Sequence, residues 1–385
     1  MSNRKIAAWR DAGLIDSATA QRLVAYEAEH ARPLALWAVF GLGALAIGLG
    51  IISVVAANWE EIPGQLRLAV HLALLIGLSA TLALREGELA RISPWVSEAL
   101  LFVIAVLGLT FFGHLGQVYQ TSSPLWKPLA TWLILFGPML LIFGRSWPAA
   151  ALLIGASIYC AWDFAAADSG ALFEREERPG WLLAAIATTL PGLFAPFAAW
   201  MRDRSGRHDF WRQLELVAIT YAVGGATLSC IVASFGGFDS DYDPLGSAGQ
   251  LVRAVAALGF GLLLVLAKPG LSGRVSGLVM AGSGLTIALA LGVNDIDLLA
   301  AGLFMALWVG IAAAALAIDA RGAFQLAVAV VALRLIILSF ELASDLLLSG
   351  FGLILSGLMI LAVAWGAVRV SQVYAPGRET QEQTP

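Results

Sequence analysis

Long apolar stretches separated by short polar connections run through the sequence from Leu34 to Val368. Twelve of these stretches carry at most one ionised side chain each. A helix needs about 20 apolar residues to cross the ~30 Å hydrocarbon core of a bilayer. Lipid offers the backbone no hydrogen-bond partner, so such spans are helical. The pattern predicts an all-α fold, a polytopic transmembrane helix bundle of about twelve spans, with ten or eleven as the alternatives.

The candidate spans fall into two groups by length and continuity. Seven are long: Leu34–Ala57, Val96–Phe112, Trp181–Trp200, Gln213–Phe235, Val275–Val293, Leu298–Ile318 and Leu346–Val368. Five are shorter or interrupted, and they leave the count open: Leu66–Leu84, Pro128–Phe143, Trp147–Trp162, Leu251–Ala267 and Ala323–Phe340.

Composition agrees with this pattern. The 385 residues are 59% hydrophobic and 13% charged, with a mean hydropathy of +0.82. Soluble domains carry about 25% charged residues, so this chain has too few charges to cover a water-facing surface. A net charge of −4 gives no indication of nucleic-acid binding. The first apolar run follows 33 residues of mixed charge, which is unlike a cleavable signal peptide.

Basic residues indicate the orientation, because cytoplasmic loops carry an excess of Lys and Arg. With the N-terminus inside, seventeen of the 23 basic residues lie on inner segments. The outer segments and outer helix ends hold five: Arg67, Lys127, Arg175, Arg178 and Arg253. We therefore expect both termini in the cytoplasm.

The chain divides into three regions in this interpretation. Residues 1–33 form a cytoplasmic helical lead-in, in which Gly13 ends a first helix and Asp16 or Ser17 caps a second. Residues 34–368 form the transmembrane helical bundle. Residues 369–385 form a short, polar cytoplasmic tail that we expect to be disordered.

Two outer segments resemble a known family. These are Ala56–Pro63, with the sequence AANWEEIP, and Gly116–Gln120, with the sequence GQVYQ, followed by Trp126. Over about residues 5–150 the chain resembles the domain-of-unknown-function 2157 family of predicted bacterial membrane proteins. The resemblance implies a helical protein of the bacterial cytoplasmic (inner) membrane. It implies no reaction and no transported substrate.

The family-like segments meet in a polar cluster at the predicted outer face. Its members are Asn58, Trp59, His114, Gln117, Tyr119 and Gln120. Imidazole, amide and phenol groups both donate and accept hydrogen bonds, which suits a hydrated vestibule. An ordinary aromatic belt at the membrane interface is the alternative.

An intramembrane charge is the second candidate site. Arg334 lies within the span Ala323–Phe340, with Glu341 and Asp345 seven and eleven residues further on. At 100° per residue all three share one helical face if the helix continues that far. Ionisable groups inside the membrane are functional candidates by default. The alternative is a structural arginine whose side chain reaches the interface.

Signatures of soluble enzymes are missing from the sequence, including the P-loop and the H-E-x-x-H zinc motif. Asp239, Asp241 and Asp243 alternate as in a calcium loop, but Pro244 and Gln250 replace its Gly and Glu. We therefore predict no catalytic residue, metal site or cofactor. For the two cysteines, Cys160 and Cys230, we expect packing roles, with a disulfide as the alternative.

Three classes of function are consistent with these features. The first is a small-solute transporter or channel-like protein. The second is a non-catalytic scaffold or sensor whose N-terminal module binds a partner. The third is a membrane-embedded enzyme acting on lipid or envelope glycan, with His114 and Asp163 as general acid–base groups. The expected partners are the lipid bilayer, a small solute and a second copy or another membrane protein, and no nucleic acid.

Overall fold

A computed structural model describes residues 6, 9–10, 12–29, 46, 62–92, 94–168, 180–239, 245–342 and 350–374. Over these residues the regular structure is helical and contains no strand. The chain divides into two compact units, Met1–Arg67 and Leu68–Pro385.

Twelve α-helices lie within the described residues, and we number them in chain order. They are α1 Ser17–Glu29, α2 Gly64–Ile92, α3 Pro94–Tyr119, α4 Trp126–Phe143, α5 Trp147–Asp168, α6 Gly180–Arg202, α7 His208–Ser234, α8 Gly246–Ala267, α9 Leu271–Gly292, α10 Asp297–Ala317, α11 Arg321–Leu342 and α12 Gly350–Tyr374. A 3₁₀ helix, Gly237–Asp239, follows α7.

Ten helices in the described part of the chain, α2 to α11, are long and apolar enough to cross a membrane. Helix α12 adds a shorter apolar segment, Ile360–Val370. The predicted all-α, polytopic class is confirmed, and a total of about twelve spans agrees with these helices. The first predicted span, Leu34–Ala57, lies outside the described residues except for Ala46.

In the N-terminal unit, a turn at residues 12–15 leads into α1. Gly13 has a φ of +69°, and its N–H donates to Arg10 O at 3.0 Å. Asp16 then caps α1, because its Oδ1 accepts the Thr19 N–H at 2.9 Å. The hydrogen bonds from Thr19 lower the pKa of the Asp16 carboxyl.

Helix α7 is central in the second unit, because it packs against α5, α6, α9 and α10. Helices α8 and α9 approach most closely through glycines. A Cβ at Gly261 on α8 would lie 2.6 Å from the Gly277 carbonyl oxygen, and one at Gly284 on α9 would lie 2.5 Å from Ala254 O. Small residues of this kind let backbones meet in membrane helices.

Several helices extend beyond the spans predicted from hydropathy, and α3 and α2 are examples. Helix α3 continues to Tyr119 instead of ending at Phe112, so the segment Gly116–Tyr119 is its last turn. Gln120, with a φ of +53°, then ends the helix. Helix α2 continues to Ile92 through a non-helical residue, Arg85. Hydropathy marks only the lipid-facing length, whereas backbone hydrogen bonding continues into the polar interface.

Candidate functional site

Arg253 is a buried cation inside a membrane-spanning helix. It lies in the second turn of α8, and only 8% of its surface is exposed. Its Nη1 donates to Gln250 Oε1 at 2.7 Å, and its guanidinium lies 5.1 Å from the centre of the Trp162 ring. Helix α5 and the preceding turn of α8 therefore hold the guanidinium in place.

A chain of hydrogen bonds surrounds this arginine. Trp162 Nε1 on α5 donates to the Tyr221 hydroxyl on α7 at 3.0 Å. Tyr221 in turn donates to Thr188 O on α6 at 2.6 Å, and it also interacts with Arg253. Four helices, α5 to α8, thus meet at one polar point inside the bundle.

Gly225 on α7 makes room for the guanidinium. A Cβ at this position would lie 2.7 Å from Arg253 Nη2, well inside van der Waals contact. A larger residue would displace the arginine from its position against α7.

Arg253, Gly225 and the side chains around them line a cavity of about 670 Å³. Trp162, Tyr221, Ser229, Gln250 and Arg253 supply polar groups, and apolar side chains of α5 and α7 form most of the remaining wall. Leu228 and Phe235 on this wall are 62% and 78% exposed, so the cavity opens towards the exposed side of α7. Its volume is in the range of small-molecule sites.

The predicted outer cluster is only partly described. Asn58 and Trp59 lie outside the described residues. Gln117 is exposed and lines a different cavity of about 970 Å³, which Thr121, Lys127 and Tyr159 also line. Tyr119 and Gln120 are exposed, and Gln120 Nε2 donates to Gln117 O at 2.9 Å.

His114 faces another imidazole. Its Nδ1 lies 3.4 Å from His71 Nδ1, and His71 Nε2 lies 3.0 Å from Leu107 O. A carbonyl oxygen only accepts, so His71 Nε2 carries a proton and, in the neutral pair, His71 Nδ1 accepts from His114. The His71 side chain thus joins α2 to α3 by two hydrogen bonds, one with His114 and one to Leu107 O.

Arg334 is buried on α11, with 8% of its surface exposed, and its guanidinium lies 5.9 Å from the Phe304 ring on α10. It is not among the residues that line the two cavities above. Helix α11 ends at Leu342, and the Glu341 side chain and Asp345 lie outside the described residues. The shared face of the three charges stays a prediction.

A second polar network joins α6, α7 and α8 at the other end of these helices, which we call the Glu215 end. Glu215 is buried, and its carboxylate accepts from Arg202 Nη1 at 2.9 Å and from Lys268 Nζ at 2.8 Å. Arg202 ends α6, and Lys268 follows α8. The carboxylate of Glu215 thus links the ends of three helices through two ion pairs.

Side-chain hydrogen bonds and an ion pair also join the neighbouring connections at the Glu215 end. Arg207 Nη1 donates to Leu141 O at 2.6 Å and to Gly144 O at 3.0 Å, which satisfies the last turn of α4. Burial lowers the pKa of the Arg207 guanidinium, and the nearby Arg145 adds to this. Glu98 on α3 accepts the Ser146 N–H and O–H before α5, and Arg145 pairs with Glu86.

The two cysteines are free thiols. Cys230 is buried in α7, and Cys160 is half-buried in α5.

Sequence reasoning missed the site at Arg253. Hydropathy started this span at Leu251 and so placed the arginine at an outer helix end. The helix in fact begins at Gly246, more than a turn earlier, and its first turns are buried against neighbouring helices. Gln250 lies three residues before Arg253, and this helical spacing alone could have predicted a hydrogen bond between the two side chains. Trp162, Tyr221 and Gly225 are distant in sequence, so their contacts with Arg253 could not be predicted.

Fold and site together define an integral membrane protein of many apolar helices, with a mainly apolar cavity between them that carries a few polar groups. Residues 7–149 match the model of a family described as a predicted membrane protein, DUF2157. The sequence resemblance over about residues 5–150 is therefore confirmed. Comparison with curated proteins found no match, and neither did comparison with solved structures.

Proposed function

We propose that the protein is a small-solute transporter or channel-like protein whose solute binds in the cavity at Arg253. The observation that carries this proposal is a buried arginine, held by Gln250 and Trp162, on the wall of a cavity between membrane-spanning helices. Ionisable groups inside membrane spans are costly to insert and rare, so the presence of Arg253 favours a functional role.

The chemistry of the wall indicates the kind of solute. A guanidinium has five N–H donors in a fixed fork, which suits bidentate recognition of a carboxylate or phosphate. The Arg253 guanidinium can donate hydrogen bonds to such a group while its Nη1 still donates to Gln250. The apolar and aromatic part of the wall suits a small organic body. The proposed solute is a small organic anion.

The arrangement of the helices supports transport over simple binding. Helices α6, α7 and α8 are joined near the cavity by Tyr221, which bonds to Thr188 O and interacts with Arg253. At the other end they are joined by Arg202, Glu215 and Lys268. Two separate polar networks join the same three helices. The hydrogen bonds at one end can therefore break while the ion pairs at the other end keep the helices together. In transporters, alternating access is a rocking or gating of one group of helices against another around the binding site.

Substitution of Arg253 tests the site. A panel of benzoate, glutamate and inorganic phosphate is added to the purified protein, and the shift in thermal unfolding temperature is measured. We expect at least one anion to stabilise the wild type and to bind about 10-fold or more weakly to Arg253→Gln, because a charge-assisted hydrogen bond is lost.

Arg334→Gln is the matched control, since Arg334 is equally buried but lies away from this cavity. It should lower stability while the anion response is kept. Benzamide, the neutral analogue of benzoate, should give no shift. The proposal is overturned if no anion stabilises the protein, or if Arg253→Gln and Arg334→Gln respond alike.

We further propose that the protein lies in the bacterial inner membrane with both termini in the cytoplasm. The excess of basic residues on the segments at the Glu215 end supports this orientation.

Labelling in intact cells with a membrane-impermeant maleimide tests the orientation. Cys160 and Cys230 are first replaced, and single cysteines are placed at Ser122 and Asp203, which are both exposed and lie on connections at opposite ends. We expect Ser122→Cys to react in intact cells and Asp203→Cys only after permeabilisation. The reverse pattern would invert the topology.

A further inference from the structure

We propose a second binding site, for an anionic phospholipid, in an apolar groove between α4, α5, α6 and α8. The groove has a volume of about 920 Å³. Its walls include Leu133, Phe164, Leu190, Phe197, Trp200 and Leu266. We call it the Trp200 groove. Its lining is separate from that of the cavity at Arg253.

The Trp200 groove is long enough for an acyl chain. Its lining on α6 extends from Ala187 to Trp200. At 1.5 Å per residue this is about 20 Å, compared with roughly 15 Å for one leaflet of the hydrocarbon core. Ser157 contributes a hydroxyl to the wall, but that hydroxyl donates to Leu153 O at 2.8 Å within its own helix. The groove therefore suits a hydrocarbon chain and is unsuited to a polar solute.

One end of the groove lies at Trp200, and we call it the Trp200 mouth. The cationic side chain of Arg204 is held there by Trp200. The Arg204 guanidinium lies 4.3 Å from the centre of the Trp200 ring, and its Nη1 donates to Trp200 O at 2.8 Å. Arg204 is exposed, so the outer edge of the guanidinium faces the surroundings of the mouth. Tryptophan is enriched at the level of lipid headgroups, and arginine binds phosphate through a fork of N–H donors.

Charge distinguishes this mouth from the opposite one. At the Trp126 mouth, the Lys127 ammonium lies 5.6 Å from the Trp126 ring. There, however, Asp163 Oδ2 accepts the Trp126 backbone N–H at 2.7 Å and balances that cation. The chain segments at the Trp200 end, residues 202–215 and Lys268, carry five basic and three acidic residues: Arg202, Arg204, Arg207, Arg212 and Lys268, against Asp203, Asp209 and Glu215. An anionic headgroup therefore belongs at Trp200.

The occupant that fits these features is a phospholipid with a net negative headgroup. Its phosphate contacts Arg204, and one acyl chain lies along α6 in the Trp200 groove. Anionic lipids concentrate on the cytoplasmic leaflet, which is the side expected for this mouth.

Lipid retention by the intact chain tests the proposal. The protein is reconstituted in nanodiscs of equal phosphatidylglycerol and phosphatidylcholine, and the lipids that stay bound are counted by native mass spectrometry. We expect phosphatidylglycerol to be retained in preference. Arg204→Ala should reduce that preference about fivefold, the effect of one basic side chain at an anionic surface. Arg204→Lys should restore part of it.

Two further variants separate a specific site from general attraction. Arg212→Ala removes an exposed arginine near the start of α7, whereas it is Arg204 that stacks on Trp200, and it should keep the preference. Leu193→Trp places a larger side chain on the groove wall and should displace both lipids. The proposal fails if wild type holds the two lipids equally, or if Arg204→Ala and Arg212→Ala lose the same amount. Arg253→Gln should leave lipid retention unchanged, so the outcome is independent of solute binding.

Discussion

Replacing Glu215 by alanine is expected to lower the free energy of unfolding by about 3–5 kcal/mol, the cost of breaking a buried ion pair by removing one partner. The Glu215 side chain is only 3% exposed, and the two cations that it binds, Arg202 and Lys268, are 20% and 14% exposed. Without the carboxylate, two cations are left near each other in a poorly hydrated place. Because they come from α6 and α8, all three helices lose their connection at this end.

Reversible unfolding in detergent measures this effect, and the chain supplies a matched control. Arg85 and Glu88 form an ion pair at 3.6 Å in which both side chains are 70% exposed. Solvent screens such a pair, so Glu88→Ala should change stability by no more than about 1 kcal/mol. Glu215→Gln keeps hydrogen-bond acceptance without the charge and should fall between the two. Equal losses for Glu215→Ala and Glu88→Ala would contradict the role assigned to this carboxylate.

A single methyl group at Gly284 is expected to destabilise the protein by about 1–3 kcal/mol through overpacking. The Cβ of Gly284→Ala would lie 2.5 Å from Ala254 O and 3.0 Å from Leu258 N, both backbone atoms of α8. Backbone atoms cannot rotate away, so α8 and α9 would have to separate. Gly277→Ala should behave in the same way, because its Cβ would meet Gly261 O at 2.6 Å.

Gly282 provides the control for these substitutions on the same helix. A Cβ there meets nothing within 4 Å, so Gly282→Ala adds a methyl group without a clash and should be neutral or slightly stabilising. Thermal unfolding of the three variants in one detergent decides the comparison. If Gly282→Ala costs as much as Gly284→Ala, loss of glycine itself and not close helix contact would explain the effect.

Hydropathy was sufficient for the class of fold, and the reason is physical. Lipid requires every exposed span to satisfy its own backbone hydrogen bonds, so a long apolar run has only the helix available to it. Ten of the twelve predicted spans accordingly reappear as α2 to α11. The ends of the helices differ, as in α3 and α8, because hydrogen bonding along the backbone continues after the lipid-facing stretch has ended.

The candidate site was much less predictable. Arg334 was singled out because it lies deep in an apolar run, and it is indeed buried. Arg253 has the same burial, but its position near the start of a run made it look like an interfacial residue. Nothing along the chain relates Trp162, Tyr221 and Gly225 to it, since they lie on two other helices. A polar site in a bundle is defined by which helix faces meet.

The sequence by itself determined that this chain is a helical membrane protein, where most of its helices lie and how its basic residues are distributed. These properties follow from each segment's own transfer between water and lipid, which requires no knowledge of its neighbours. The tertiary structure alone decided that α7 is central, that α8 and α9 meet through glycines, and that Arg253 rather than Arg334 lines a described cavity. All apolar faces are equally soluble in lipid, so helix packing depends on shape and on pairs of polar groups from distant segments.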